Sequence, residues 1–172
     1  MHWVQTYTGR KFFPLAPRVE DVDIRDIAHA LAFNCRFNGH CLRFYSVAEH
    51  SVRVSLAVPE AQALWGLLHD AAEAYLTDLP RPVKIQMPAF SEFEDRLLET
   101  ILGKFGLSMP MPSQVKYADD ALLATEQRDV MAPPPDAWHL PAPPLPDRIE
   151  PMPPQVAERA FLERFDRLTK LP

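Results

Sequence analysis

Residues 69–84, HDAAEAYLTDLPRPVK, hold the densest group of chemistry-bearing side chains in the chain. On a helix, Glu73 follows His69 by four residues and Asp70 by three, so an imidazole and two carboxylates reach one cleft. Asp78 comes next, and Pro80 and Pro82 stop the helix. The preceding run, residues 61–68, is apolar and reads as buried. Polar groups gathered inside a protein need compensation, because burying them alone is costly. A metal ion supplies it most economically. Imidazole and carboxylate donors suit Co, Mn, Zn, Fe or Ni, so the metal's identity is not readable from them.

Helices must hold these groups in place. Residues 3–13 carry β-branched and aromatic residues around a Thr8-Gly9 turn signal and read as a short hairpin or arm. Asp23 can cap a first helix running to about Asn34, with Ile24, Ile27, Ala28 and Leu31 on its apolar face. Residues 35–43, CRFNGHCLR, break that pattern at Asn38-Gly39 and read as a loop. A second helix is expected over about 45–57, with Val47, Val54 and Ala57 inward and His50 beside them. Pro59 separates it from a third, over 60 to about 76, that carries the His69-Asp70 doublet. A fourth spans about 91–105, with Phe93, Leu97, Leu98 and Ile101 at helical spacing. In a fifth, over about 113–131, Val115, Ala118, Leu122 and Thr125 share a face beside Asp119.

Residues 132–154 cannot be helix or central strand, because ten of the 19 prolines fall between Pro133 and Pro154. Trp138, Leu140, Leu145 and Ile149 offer anchors for an ordered arm wrapped over the domain, in preference to a flexible linker. A last helix over about 155–168 turns Val156, Ala160, Phe161 and Phe165 inward. The fold class is therefore all-α. One domain over 1–172 is expected, a bundle of about six helices with a short N-terminal hairpin or arm and a proline-rich arm before the last helix.

A chain of 172 residues, 47% hydrophobic and 24% charged, can bury a substantial core. Its net charge of -5 and pI of about 5.6 argue against a general grip on a nucleic acid polymer, though not against a local basic pocket. No apolar run approaches the roughly 20 residues that span a bilayer. MHWVQTYTGRKFF lacks the apolar core of a secretory signal. A cytoplasmic location without membrane contact is expected. Cys35 and Cys41 form neither a CxxC pair nor a disulfide framework and read as reduced thiols.

Three further segments repay attention together: AEHS with His50, LLHDAAEA with His69 and Asp70, and KYADDALLATE with Asp119. In this order they resemble the signature of the HD-domain metal-dependent phosphohydrolase superfamily. HDAAEAYLTDLPRPVK is similar to its bacterial 5'-deoxynucleotidases and the related phage dATP triphosphohydrolases. Both have a glutamate and an aspartate after the doublet, then a DLPxPxK-like run. CRFNGHCLRFYSVAEHS matches them too, with an arginine and an aromatic residue ahead of the first metal histidine. The motifs cover about 36–119, and the proline-rich arm has no counterpart in them.

That resemblance implies the helical HD-domain bundle, a homo-oligomer, and one divalent metal ion on His50, His69, Asp70 and Asp119. The family's Ala-Asp context favours Asp119 over the adjacent Asp120. The implied reaction is hydrolysis of the phosphoester next to the sugar of a (deoxy)nucleotide, with the metal lowering the pKa of a bound water. Arg36 first, and Lys84 second, would meet the phosphoryl charge. By residue type alone, both are equally ordinary surface charges. Glu73 fits a general acid/base or water-orienting group, or a support for His50 or Arg36. Asp78 suits a hydrogen bond to the sugar or a cap on the Leu79-Pro80 turn. Phe37 suits base stacking or the core, and Pro80 would shape the same pocket. His29 and His40 read as packing and loop residues, and Glu126, Arg128 and Asp129 as ion pairs or supports.

Two reactions fit the resemblance. One is 5'-deoxynucleotidase chemistry on a monophosphate. The other is release of inorganic triphosphate from a dNTP such as dATP. A non-catalytic metal-binding nucleotide sensor is the alternative of another class. Against it, every motif position holds a competent residue.

Overall fold

Phe12 is fully buried, and it anchors the N-terminal hairpin to the helices. In the computed structural model, which describes residues 2–170, β1 (Val4–Gln5) pairs antiparallel with β2 (Lys11–Phe12). Gly9 takes a φ of 81° in the turn between them, a conformation that glycine adopts without a Cβ clash. The Thr8 N–H and hydroxyl donate to Asp26 at 2.7 and 3.0 Å, and Phe12 stacks on Tyr75.

Apart from two short 3-10 turns, the remaining regular elements among the described residues are α-helices, as the all-α reading expects: α1 (Ile24–Phe33), α2 (Val47–Ala57), α3 (Glu60–Leu68), α4 (Glu73–Leu76), α5 (Arg81–Lys84), α6 (Pro88–Lys104), α7 (Ser113–Asp129) and α8 (Pro154–Thr169). Six are long, and α4 and α5 are single turns. Asp23 caps α1 by accepting from the Arg25 N–H, and Ser46 caps α2 by accepting from the Glu49 N–H. Pro82, Pro88 and Pro154 sit in the first turns of α5, α6 and α8, where a missing N–H costs nothing.

The bundle is built around α2, which packs on α1, α3, α7 and α8. Its polar Glu49, His50, Ser51 and Ser55 are all buried. Gly66 lets α3 cross it closely, since a Cβ there would lie 3.2 Å from Ser55 Cα. Leu31, Leu67, Leu68, Ile101, Leu102, Leu122 and Phe161 fill the core between the helices. Among the described residues, no helix is long and apolar enough to cross a membrane.

Several boundaries differ from the sequence reading. The third helix is not continuous from 60 to 76. After Leu68 the chain tightens, with Ala71 N–H bonding the Leu68 carbonyl and Glu73 N–H the Asp70 carbonyl, each three residues back. One cause is local: His69 Nδ1 takes the Gly66 carbonyl at 2.7 Å, an acceptor that a regular helix gives to the Asp70 N–H. The fourth helix starts earlier, at Pro88. Ala57 and Val156 are exposed where inward positions were expected, and Ala157 is buried in place of Val156.

The proline-rich stretch is an ordered arm. Leu145 N–H donates to Thr125 Oγ1 at 2.8 Å, Ile149 N–H to Asp129 at 2.9 Å, and Met152 N–H to Glu49 at 2.7 Å. Ile149 is buried, while Trp138 stays exposed near the far end of α7.

Candidate metal centre and substrate cleft

His50 arrives on the buried face of α2, His69 on the first residue after α3, Asp70 beside it, and Asp119 in the second turn of α7. The two imidazole Nε2 atoms lie 3.1 Å apart. Asp119 Oδ1 is 3.3 Å from His50 Nε2 and 3.9 Å from His69 Nε2. Asp70 Oδ2 is 3.2 Å from His69 Nε2 and 3.6 Å from His50 Nε2. Lys116 pairs with the adjacent Asp120 and also reaches Asp119 Oδ2 at 3.3 Å.

The far nitrogen of each ring fixes its tautomer. His69 Nδ1 faces the Gly66 carbonyl, which can only accept, so Nδ1 carries the proton. His50 Nδ1 lies 2.5 Å from Glu126 Oε1. Burial alone would raise the Glu126 carboxyl, but Arg36 and His50 outweigh it and hold it below the usual carboxylate range. Glu126 is therefore an acceptor, and His50 Nδ1 carries its proton as well. The two Nε2 atoms face the carboxylates of Asp70 and Asp119. At His50, burial and Arg36 push the pKa down, yet Glu126 and Asp119 prevail and hold it at about 9, so without an ion the ring carries a second proton toward those carboxylates. A cation held at the Nε2 atoms would take the place of that proton. His50, His69 and Asp119 offer donor atoms that all lie within 4.8 Å of one another, a group that could hold a metal ion, while Asp70 lies beside it against His69 and Arg36.

Arg36 joins this cluster to a cleft of about 530 Å³. A short bridge places it: Arg36 N–H bonds the Tyr45 carbonyl and Val47 N–H the Asn34 carbonyl, closing the loop onto the start of α2. Its guanidinium donates to Glu126 Oε2 at 2.8 Å and reaches Asp70 Oδ2 at 3.5 Å. Burial disfavours that charge, but Glu126 and Asp70 more than restore it. Phe37, Glu73, Asp78 and Pro80 line the same cleft. Burial, helped by Asp70 and Asp78, pushes the Glu73 carboxyl well above its usual range, and its Oε2 is buried without a hydrogen-bond partner. Burial also raises Asp78, against the pull of Lys84. Phe37, Asn38 and Thr77 hold positive φ angles of 53°, 51° and 61°. For residues with a Cβ, such backbone costs about 1–3 kcal/mol each, and it concentrates at working sites.

Lys84 does not line the cleft. It lies 2.5 Å from Glu94 and 3.9 Å from Asp78, so its charge is already matched. Arg81, one turn earlier on α5, lines the cleft instead. His29 stacks on Tyr7 and meets Glu158 at 3.1 Å, away from this site.

No protein-family model matches the chain. It is 39% identical over 175 residues to the uncharacterized protein YfdR of Escherichia coli (strain K12), covering 99% of this chain and 98% of that one. The chain belongs to the YfdR family. An uncharacterized protein of Rhodobacter capsulatus is 38% identical over 126 residues, which cover 67% of this chain and 64% of the relative. In this YfdR-family chain, Glu126 has the ion-pair and supporting role expected of it, whereas the cleft positions of Arg81 and Trp138 carried too little signal to single out from sequence. Glu126 lies seven residues after Asp119, hence on the same face of α7, and that spacing was its one clue. Arg81 looked like any surface arginine, and Trp138 sat in a segment without periodicity.

Proposed function

We propose that this protein is an HD-superfamily metal-dependent phosphohydrolase that cleaves the phosphoester next to the sugar of a (deoxy)nucleotide, in the manner of a 5'-deoxynucleotidase. The observation that carries the reading is the double contact of Arg36. It touches Asp70 and Glu126 of the cluster, and it lines the cleft that also contains Phe37, Glu73, Asp78 and Pro80. A phosphate lying against Arg36 would be next to the cluster, with the rest of the nucleotide in the cleft.

His50, His69, Asp70 and Asp119 would hold the ion. A divalent ion there supplies Lewis acidity and lowers the pKa of a water near neutral pH. The protein's own groups do the remainder. Arg36 offers planar N–H donors to the phosphoryl oxygens and balances their charge. Water, having given one proton to solvent, adds its oxygen to phosphorus, the bond to the nucleoside 5'-oxygen breaks, and that oxygen must gain a proton. Glu73, kept protonated by burial and by Asp70 and Asp78, suits the donor. Asp78 can accept from the sugar hydroxyl, and Phe37 offers a ring face to the base. A cytoplasmic homo-oligomer working on free nucleotides goes with this reading.

Release of inorganic triphosphate from a dNTP is the second reading, favoured by the added positive charge of Arg81 in the cleft. The test is to refill metal-stripped protein with Co, Mn or Zn, supply dAMP and dATP separately, and identify products by phosphorus NMR. Orthophosphate from dAMP with dATP intact is the expected outcome. Triphosphate from dATP would select the second reading, and no product with any metal would count against both.

A further inference from the structure

The lining of the cleft is chemically mixed: Arg36, Glu73 and Asp78 contribute charged or polar groups, and Phe37, Met131 and Trp138 apolar and aromatic ones. Its volume of about 530 Å³ is of the size that holds small-molecule ligands. Trp138 comes from the proline-rich arm, remote in sequence from every other lining residue on the Arg36 loop and α5. The Phe37 and Trp138 rings have centroids 6.3 Å apart and planes inclined at 51°. The rings meet at an angle, as a corner, and do not stack, so a planar ligand would lie against a ring face and not between parallel rings. Arg36 Cζ lies 5.3 Å from the Phe37 ring centroid, so the corner adjoins the guanidinium.

Trp138 remains 41% exposed, although the arm beyond it is firmly held. Leu145 N–H bonds Thr125, and Arg128 donates to the Leu145 and Asp147 carbonyls at 2.8 Å each. A tethered arm that leaves a large aromatic face beside a cleft has spent no core packing on it. Planar heteroaromatic ligands gain most from such faces, because stacking tolerates any base.

We infer that the proline-rich arm is part of the substrate site, and that Trp138 and Phe37 together form the corner that takes the nucleobase. The inference rests on the nucleotide reading above and adds to it a recognition element outside the motifs that suggested that reading. Trp138 is a binding residue here, not a chemical one.

The test is calorimetric binding of the non-hydrolysable phosphonate analogues of dAMP and of 2-deoxyribose 5-phosphate, called dAMP and the sugar phosphate below, to metal-loaded wild type, Trp138→Ala and Trp138→Phe. Wild type should bind dAMP at least about tenfold more tightly than the sugar phosphate, given the usual worth of base–aromatic stacking. Trp138→Ala should lose about tenfold on dAMP and nothing on the sugar phosphate, whose unchanged affinity also reports an intact fold. Trp138→Phe should keep most of the preference. If Trp138→Ala binds both ligands as wild type does, the arm is not a base site, and the phosphohydrolase reading survives. If wild type binds neither ligand, both fall.

Discussion

Glu126 Oε1 lies 2.5 Å from His50 Nδ1, and neither side chain has any exposed surface. The other oxygen of the same carboxylate holds Arg36 at 2.8 Å. One buried group therefore sets the tautomer of a candidate metal ligand and the position of the candidate phosphate-binding arginine. Removing its charge should disturb both. Glu126→Gln is expected to weaken divalent-metal binding by about 10–100-fold, the usual cost of losing a partner behind a ligand. Titration calorimetry with Mn or Co on wild type and variant would check it.

Glu73 links pH to stability and, in the proposed reaction, to turnover. Its folded carboxyl titrates well above its unfolded value because of burial, Asp70 and Asp78. The stability it contributes is thus fully present below the unfolded carboxylate range and is lost as pH rises through the folded pKa. Glu73→Gln cannot ionise, so the metal-free variant should be more stable than wild type at pH 8 by about 1–2 kcal/mol. It should also lose roughly 10²–10⁴-fold in turnover, having no proton to give. Urea denaturation at pH 5 and pH 8, with dAMP hydrolysis beside it, would show the opposed effects.

At Gly66, α3 lies close against α2. An added Cβ would meet Ser55 Cα at 3.2 Å, Ser55 N at 3.3 Å and the Val58 side chain at 3.3 Å, and two of those atoms are backbone. Gly66→Ala should cost about 1–3 kcal/mol through overpacking. Because the Gly66 carbonyl also orients His69, the same change should weaken metal binding. Thermal melting and metal titration of the variant report the two effects separately.

Asp129 ties α7 to the arm. Arg128 chiefly, with burial opposing and the Ile149 N–H and Arg148 assisting, holds its carboxyl well below the usual range. A depressed folded pKa stabilises above the unfolded value and is lost as pH falls through the folded one, so the clasp should weaken in acid below about pH 4. Asp129→Asn should cost about 1–2 kcal/mol at pH 7, and the gap should close in acid. Denaturation curves across that window would check this.

Much of this was legible in the sequence because it rests on local rules. Asp23 caps a helix, Gly9 turns the hairpin, and the spacing of Leu97, Leu98 and Ile101 marks a helix face. The site was legible to the extent that its residues fall in dense motifs. What escaped has tertiary causes. The helix tightens at His69 because a side chain competes for the Gly66 carbonyl, and no propensity carries that signal. Lys84 is matched by Glu94, ten residues away on α6, which only the packing of α5 on α6 reveals. Trp138 reaches the cleft through hydrogen bonds of an irregular arm that has no period to read.

The central claim is that the two histidines and two aspartates hold a divalent ion on which nucleotide hydrolysis depends. The most direct measurement titrates metal-stripped protein with Co or Mn, following bound metal and orthophosphate release from dAMP in the same samples. Release should rise in proportion to occupancy and level off at one ion per chain, and Asp70→Ala should abolish both. A hydrolytic rate indifferent to occupancy, or an Asp70→Ala variant that keeps its metal and its rate, would contradict the claim.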